Sequence, residues 1–137
     1  MKIYFAGSIR GGRGDVGSYA RLIESLKEYG EVLTEHVGSA PLGEFGETGL
    51  SDPFIHDRDL SWIREAGVVV AEVTVPSLGV GYEIGRAVEA GKKTLCLYRP
   101  QEGKRLSAMI AGCPDVTIRP YETVEEAKDI LREFLVS

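Results

Sequence analysis

Apolar residues follow two alternating patterns along this chain of 137 residues: short continuous runs, and longer stretches in which they recur every three or four positions. The continuous runs predict five strands, over residues 2–6, 31–34, 67–73, 94–98 and 116–118. The periodic stretches predict five helices, over residues 19–29, 51–66, 80–90, 105–111 and 124–135. Ser51, which a proline follows two residues later, is typical of a helix start, and Gly30 and Gly91 are typical of helix ends.

Strands that alternate with helices predict an α/β fold in which helices cover both faces of a parallel sheet. Because about five strands fit one small core, residues 1–137 are predicted to form a single flavodoxin-like, Rossmann-like three-layer sandwich with strand order 2-1-3-4-5. Ligands bind such a sheet beyond the carboxyl ends of its strands, where the strand order reverses. That point lies between the first and third strands, so residues 7–14 and 77–83 are predicted to face each other across one crevice.

The first of these segments, residues 7–14, is a glycine-rich turn that leads into a helix. Backbone N–H groups in such a turn can converge on an anion, and Arg10 or Arg13 can add a charged fork. The segment lacks the Gly-Lys-Ser/Thr ending of a Walker loop. A turn that only connects a strand to a helix would look the same, so these residues alone leave phosphate binding open.

The second segment places Glu83 in the first turn of a predicted helix, at the crevice. The positive end of that helix would favour an ionised carboxylate, and Gly79 and Gly81 would leave space around it for a ligand. The alternative is a glutamate that only stabilises the helix dipole, which is common at helix starts.

The preceding helix supplies a second carboxylate, because Asp57 and Asp59 lie beyond its first turn, where the helix dipole has little influence. If one of them were buried near Trp62 or against a base, it could stay protonated and act as an acid. Two carboxylates in different environments form the acid and nucleophile pair of a retaining glycosidase. Acidic residues on helices usually face solvent, so this alternative also stays open.

Composition narrows the possible functions. A net charge of -5 and a pI of about 5.1 argue against a general nucleic-acid surface. No apolar run reaches the roughly 18 residues of a membrane span, and no signal peptide precedes the first strand. Cys96 and Cys113 are interpreted as free thiols, so we expect a reducing compartment: the cytoplasm, or the nucleus in a eukaryote. His36 and His56 are the only histidines, which is too few for a metal site, so neither metal nor cofactor is expected.

Several segments resemble the 2′-deoxynucleoside 5′-phosphate N-hydrolases of the nucleoside 2-deoxyribosyltransferase superfamily. The matching stretches are residues 4–12 (YFAGSIRGG), 32–37 (VLTEHV), 54–60 (FIHDRDL), 68–86, 97–101 (LYRPQ) and 106–110 (LSAMI). Residues 76–86 (PSLGVGYEIGR) are the most specific. The resemblance covers nearly the whole chain and implies a homodimeric hydrolase that converts a deoxynucleoside 5′-monophosphate into free base and 2-deoxyribose 5-phosphate.

Position by position, the resemblance implies that Glu83 is the nucleophile, that Asp59 is the acid assisting the leaving base, and that Tyr4 orients the nucleophile. It also implies contacts to substrate. The phosphate-binding positions are Ser8, Arg10 and Ser77, with Ser107 donated by the neighbouring subunit, and His36 lines the site. The predicted substrate-binding set is completed by Gly7, Ile9, Gly11, Gly79 and Met109.

Two other functions remain open: a deoxyribosyltransferase that acts on free nucleosides, and a nucleotide-binding domain without chemistry. The serines and the arginine at the phosphate positions suit a 5′-phosphate and are not needed around a free hydroxyl. The set of Tyr4, Asp59 and Glu83 is not needed by a domain that only binds. The loop over residues 38–49 departs from the mammalian pattern, so the preferred base and the choice between deoxyribose and ribose stay undetermined.

Overall fold

The structure is a computed structural model that describes residues 1–8, 16–34 and 49–136. Its strands are β1 (Lys2–Ala6), β2 (Glu31–Val32), β3 (Val68–Glu72), β4 (Lys93–Tyr98) and β5 (Val116–Pro120). Its helices are α1 (Val16–Leu26), α2 (Asp52–Glu65), α3 (Leu78–Glu89), α4 (Ala108–Ala111) and α5 (Val124–Val136). Each predicted strand and helix therefore has a counterpart, and the differences are in the ends.

The strands form one parallel sheet in the order β2-β1-β3-β4-β5, which confirms the predicted topology. Helices α1 and α5 cover one face, where their apolar residues pack on the side chains of Ile3, Phe5 and Val70. Helices α2 and α3 cover the other face and pack on Tyr4 and Val69. Every residue of β3 is buried, as expected for a central parallel strand with a helical layer on each side. The predicted three-layer sandwich is confirmed.

Strand β2 is shorter than predicted because a side chain takes over its pairing with β1. Backbone pairing continues through the N–H of Leu33, which donates to Ile3 O at 2.9 Å. At the next position the hydroxyl of Thr34 accepts from Phe5 N at 2.8 Å and donates to Phe5 O at 2.6 Å. Phe5 therefore has both backbone groups satisfied without a third strand residue.

Side-chain caps set the helix starts that bear on the site. The hydroxyl of Ser51 accepts from Phe54 N at 3.2 Å, which confirms the predicted start of α2. Helix α4 is shorter than the predicted 105–111, because Ser107 caps it and accepts from Met109 N at 3.2 Å. Among the described residues, no helix is long and apolar enough to cross a membrane.

Candidate active site

Tyr4 and Glu83, which lie 79 positions apart, meet on the face of the sheet that α2 and α3 cover. Tyr4 is buried on β1, and its hydroxyl donates a hydrogen bond to Oε2 of Glu83 on α3. Tyr4 pairs with Val69 of β3 in the sheet register, so the contact lies at the predicted reversal of strand order. The structure thus brings the predicted nucleophile and its predicted orienting tyrosine together.

The predicted position of Glu83 within its helix is wrong. Helix α3 begins at Leu78 rather than residue 80, because the hydroxyl of Ser77 caps it by accepting from Val80 N at 3.3 Å. Glu83 consequently lies in the second turn, where the helix dipole no longer favours the ionised carboxylate strongly. Burial raises the pKa of Glu83 to about 7, the hydrogen bond from Tyr4 lowers it, and the negative charge of Asp59 raises it.

Tyr4 remains a proton donor in this site. Burial raises the pKa of its hydroxyl far above the ordinary range, and the charges of Glu83 and Asp59 raise it further. The nearby guanidinium of Arg58 lowers it. The hydroxyl therefore stays protonated at any physiological pH and can hold one oxygen of Glu83 in a fixed direction.

The charge of Asp59, on α2, raises the pKa of both Tyr4 and Glu83, so this second carboxylate lies near the pair. The sequence left open whether this carboxylate lies against apolar groups or faces solvent. In the structure, Arg58 Nε and Nη2 lie 3.0 and 2.9 Å from Oδ1 of Asp59, and a neighbouring cation favours a carboxylate's ionised form.

Arg58 is a site residue that the sequence reasoning missed. Its guanidinium lies 4.6 Å from the ring centroid of Trp62 and 5.9 Å from that of Phe54, which holds it on the surface of α2. Trp62 follows Arg58 by four positions, a spacing that brings side chains together on a helix. That spacing is the signal that could have identified Arg58.

Gly79 separates Ser77 from Glu83. A Cβ at this position would lie 3.8 Å from Ser77 Oγ and 3.9 Å from Glu83 Oε1, so a larger side chain would fill the space between them. The predicted binding residues Ser77 and Gly79 therefore do lie beside the predicted nucleophile. A Cβ at Gly81 would meet no atom of the described residues within 4 Å, and Gly81 lines a cavity that Ser77 also borders.

The end of β1 carries Gly7 and Ser8. A Cβ at Gly7 would come within 3.0 Å of the Tyr19 ring, so packing already explains this glycine. Ser8 is fully buried; its N–H donates to the Tyr19 hydroxyl at 3.2 Å, and its own hydroxyl has no hydrogen-bond partner among the residues that the structure describes. A buried hydroxyl without a partner is uncommon and is a candidate to bind a ligand.

Ser107 and Met109 lie apart from the Tyr4–Glu83 pair in this chain. They line a cavity of about 570 Å³ between the start of α3 and the segment that leads to α4, and Ser77 lines the same cavity. Tyr4, Asp59 and Glu83 are not among its lining residues. Ser77 therefore borders both the pair and the cavity.

Four predicted substrate-binding residues lie outside the described residues: Ile9, Arg10, Gly11 and His36. The same holds for most of the loop at 38–49. His56 lies near the site on α2: its Nδ1 is 2.9 Å from Asp57 Oδ1 and its Nε2 is 2.9 Å from the Tyr82 hydroxyl.

A half-buried glutamate that a tyrosine holds beside a second carboxylate, at the reversal point of a parallel sheet, is the arrangement of a glycosidase with a carboxylate nucleophile. The family model described as nucleoside 2-deoxyribosyltransferase matches residues 3–118, and the chain belongs to that family. The fold also agrees with the solved structure of a Clostridium botulinum CMP N-glycosidase, with a TM-score of 0.70 and 21% identity, covering 98% of this chain and 100% of that one.

Two relatives carry more detailed names. A Tetraodon nigroviridis protein, 54% identical over 98% of this chain and 96% of its own length, is named 5-hydroxymethyl-dUMP N-hydrolase. A mouse protein of the same name is 61% identical over 82% of this chain and 66% of its own length. The predicted family is confirmed, and so is the prediction of an enzyme of the N-glycosidase class.

Proposed function

We propose that this protein hydrolyses the N-glycosidic bond of 2′-deoxynucleoside 5′-monophosphates and releases free base and 2-deoxyribose 5-phosphate. The observation that carries the proposal is the Tyr4–Glu83 pair beside Asp59 at the sheet's reversal point. The names of the relatives point to 5-hydroxymethyl-dUMP as the first substrate to test.

In the proposed reaction, ionised Glu83 attacks C1′ of the sugar as the bond from C1′ to the base nitrogen breaks. As Glu83 ionises, its proton passes to Asp59. Asp59 then donates this proton to the departing base. Tyr4 holds the non-attacking oxygen of Glu83 in place. Water then attacks C1′ of the glycosyl ester, Asp59 takes a proton from that water, and Glu83 leaves as a carboxylate.

The proposed phosphate contacts are the hydroxyls of Ser8 and Ser77, together with Arg10 and with Ser107 of a second subunit. Two observations support the two serines of the first group: within the described residues the buried hydroxyl of Ser8 has no partner, and Ser77 lies across Gly79 from Glu83. Leu78 and Met109 on the rim of the cavity that Ser107 lines are 97% and 83% exposed. Exposed apolar side chains of this size are typical of a surface that another subunit covers, so we propose a homodimer through this face.

The proposal is tested by incubating the protein with 5-hydroxymethyl-dUMP, with dGMP and with the matching free nucleosides, each with and without an added second base. We expect free base from the monophosphates, a rate at least about 10³-fold lower on nucleosides, and neither a new nucleotide nor a new nucleoside when a second base is present. Transfer of the sugar to the added base at similar rates would instead identify a transferase. Binding of nucleotides without base release would contradict any enzymatic function at this site.

A further inference from the structure

The opposite face of the sheet holds a fully buried glutamate, Glu72, which the proposed reaction does not use. Glu72 is the last residue of β3 and is 0% exposed. It lies an even number of positions after Val68 and Val70, which belong to the core beneath α1 and α5, whereas Glu83 belongs to the α3 side. A carboxylate buried this deeply has to be hydrogen-bonded, because desolvation would otherwise be prohibitive.

Three donors meet the Glu72 carboxylate. Thr74 N donates to Oε1 at 2.8 Å, the Thr74 hydroxyl donates to Oε2 at 2.8 Å, and the Tyr121 hydroxyl also donates to Oε2. Tyr121 is buried directly after β5, and its N–H donates to Tyr98 O at 3.0 Å. Glu72 therefore links the end of β3 to the end of β5.

The network continues to β4 through Thr74. Its hydroxyl accepts from Arg99 N at 2.9 Å, so the first residue after β4 is tied to the first turn after β3. A hydroxyl that donates to a carboxylate and accepts from a backbone N–H is fixed in both directions. The ends of β3, β4 and β5 are thus joined by one buried carboxylate.

Two loops leave this network and carry proposed phosphate contacts. Ser77 follows Thr74 by three residues, and the segment that starts at Arg99 ends at Ser107. Thr74 and Arg99 line the same cavity as both serines.

We propose that Glu72 is a positioning residue that sets 5′-phosphate recognition by fixing the two loops that bear Ser77 and Ser107, an inference that rests on the proposed function. Glu72 touches neither substrate nor the Tyr4–Glu83 pair in this scheme. It acts through Thr74 and Tyr121, on the far side of the sheet from the reacting sugar.

The test compares kcat/KM on 5-hydroxymethyl-dUMP with kcat/KM on its free nucleoside for Thr74→Val, which keeps the shape of the side chain and removes the linking hydroxyl. We expect the preference for the monophosphate to fall about tenfold, mainly through a higher KM, with little change on the nucleoside. Thr74→Ser restores the hydroxyl and should restore the preference.

Thr94→Val is the matched control. Thr94 is buried near the start of β4, at the other end of the sheet, and its hydroxyl donates to Lys92 O at 2.9 Å. Its removal should change stability without changing the monophosphate preference. Glu72→Gln and Tyr121→Phe extend the test, and the second removes only one donor if the first fails to fold.

The outcomes are distinguishable. A folded Thr74→Val variant with an unchanged preference, or with equal losses on both substrates, would overturn the positioning role while leaving the proposed function intact. A wild-type protein that releases no base from any monophosphate would contradict the proposed function, and this inference with it.

Discussion

The two faces of the sheet give a glutamate opposite surroundings. Glu72, beneath α1 and α5, receives three hydrogen bonds from Thr74 and Tyr121. Glu83, beside α2, receives one from Tyr4 within the described residues and has the negative charge of Asp59 nearby, and its pKa is raised to about 7. The same side chain is a structural anchor where donors surround it, and it is poised to change its protonation state near neutral pH where donors are few.

The first prediction concerns catalysis, and it has the largest expected effect. Glu83→Ala should lower kcat for base release by about 10⁴-fold or more, because it removes the carboxylate that is proposed to trap the sugar. Glu89→Gln is the matched control, since Glu89 is exposed on the same helix and should be neutral. Near wild-type release of base by a folded Glu83→Ala protein would remove Glu83 from the mechanism.

The second prediction compares how Glu83 and Glu72 affect the free energy of unfolding. Glu83 has a folded pKa of about 7 against 4.5 for an ordinary glutamate, so the folded state holds its proton more tightly than the unfolded state does. The stability from that proton is complete below about pH 4.5 and is lost as the pH rises to about 7, by about 3 kcal/mol in all.

The Glu83→Gln variant has no proton to release at this position, so it does not lose this stability as the pH rises. Its free energy of unfolding should therefore exceed that of the wild type by up to about 3 kcal/mol at pH 8 and match it near pH 4. Glu72→Gln should instead destabilise the protein by about 1–3 kcal/mol, because an amide cannot accept from all three donors. Denaturant titrations at the two pH values measure both effects, and a gain in stability for Glu72→Gln would reverse the comparison.

The third prediction is a pH profile. Because the proton that Glu83 gives up is the one that reaches the departing base, kcat/KM should fall about tenfold per pH unit above about pH 7, where that proton is already lost to solvent. The Tyr4 hydrogen bond lowers the pKa of Glu83, so Tyr4→Phe should move this limb to higher pH. Tyr29→Phe, at the end of the turn after α1, is the control. A limb that does not move would show that Tyr4 does not act on the ionisation of Glu83.

The fourth prediction has the smallest expected effect. It tests whether Ser107 acts in its own subunit or in the neighbouring one. Glu83→Ala and Ser107→Trp, each nearly inactive alone, are mixed under conditions that allow subunit exchange. If Ser107 acts on the neighbouring subunit, about half the dimers are mixed and each regains one intact site, so about a quarter of wild-type activity returns. No recovery, with exchange verified by tagged subunits, would place Ser107 within its own subunit's site or outside it.

The strands and helices follow from the sequence because apolar runs and apolar periodicity report local structure directly, and their alternation predicts the strand order and its reversal point through the topology of doubly wound sheets. The resemblance selected Tyr4, Asp59 and Glu83, and the tertiary structure joins Tyr4 to Glu83 across 79 positions. Pattern alone could not place the start of α3, since that start depends on the cap by Ser77, and the turn occupied by Glu83 depends on that start.

Only the tertiary structure decided the burial, the hydrogen-bond donors and the neighbouring charges of each acidic residue. Nothing in the sequence distinguishes the surroundings of Glu72 from those of Glu83, because both are glutamates within mainly apolar stretches. The donors from Thr74 and Tyr121, the burial of Glu83, and the guanidinium of Arg58 beside Asp59 come from elements that meet only on folding. Burial and hydrogen-bond partners determine the charge of a carboxylate, and both are properties of the packed molecule rather than of the local sequence.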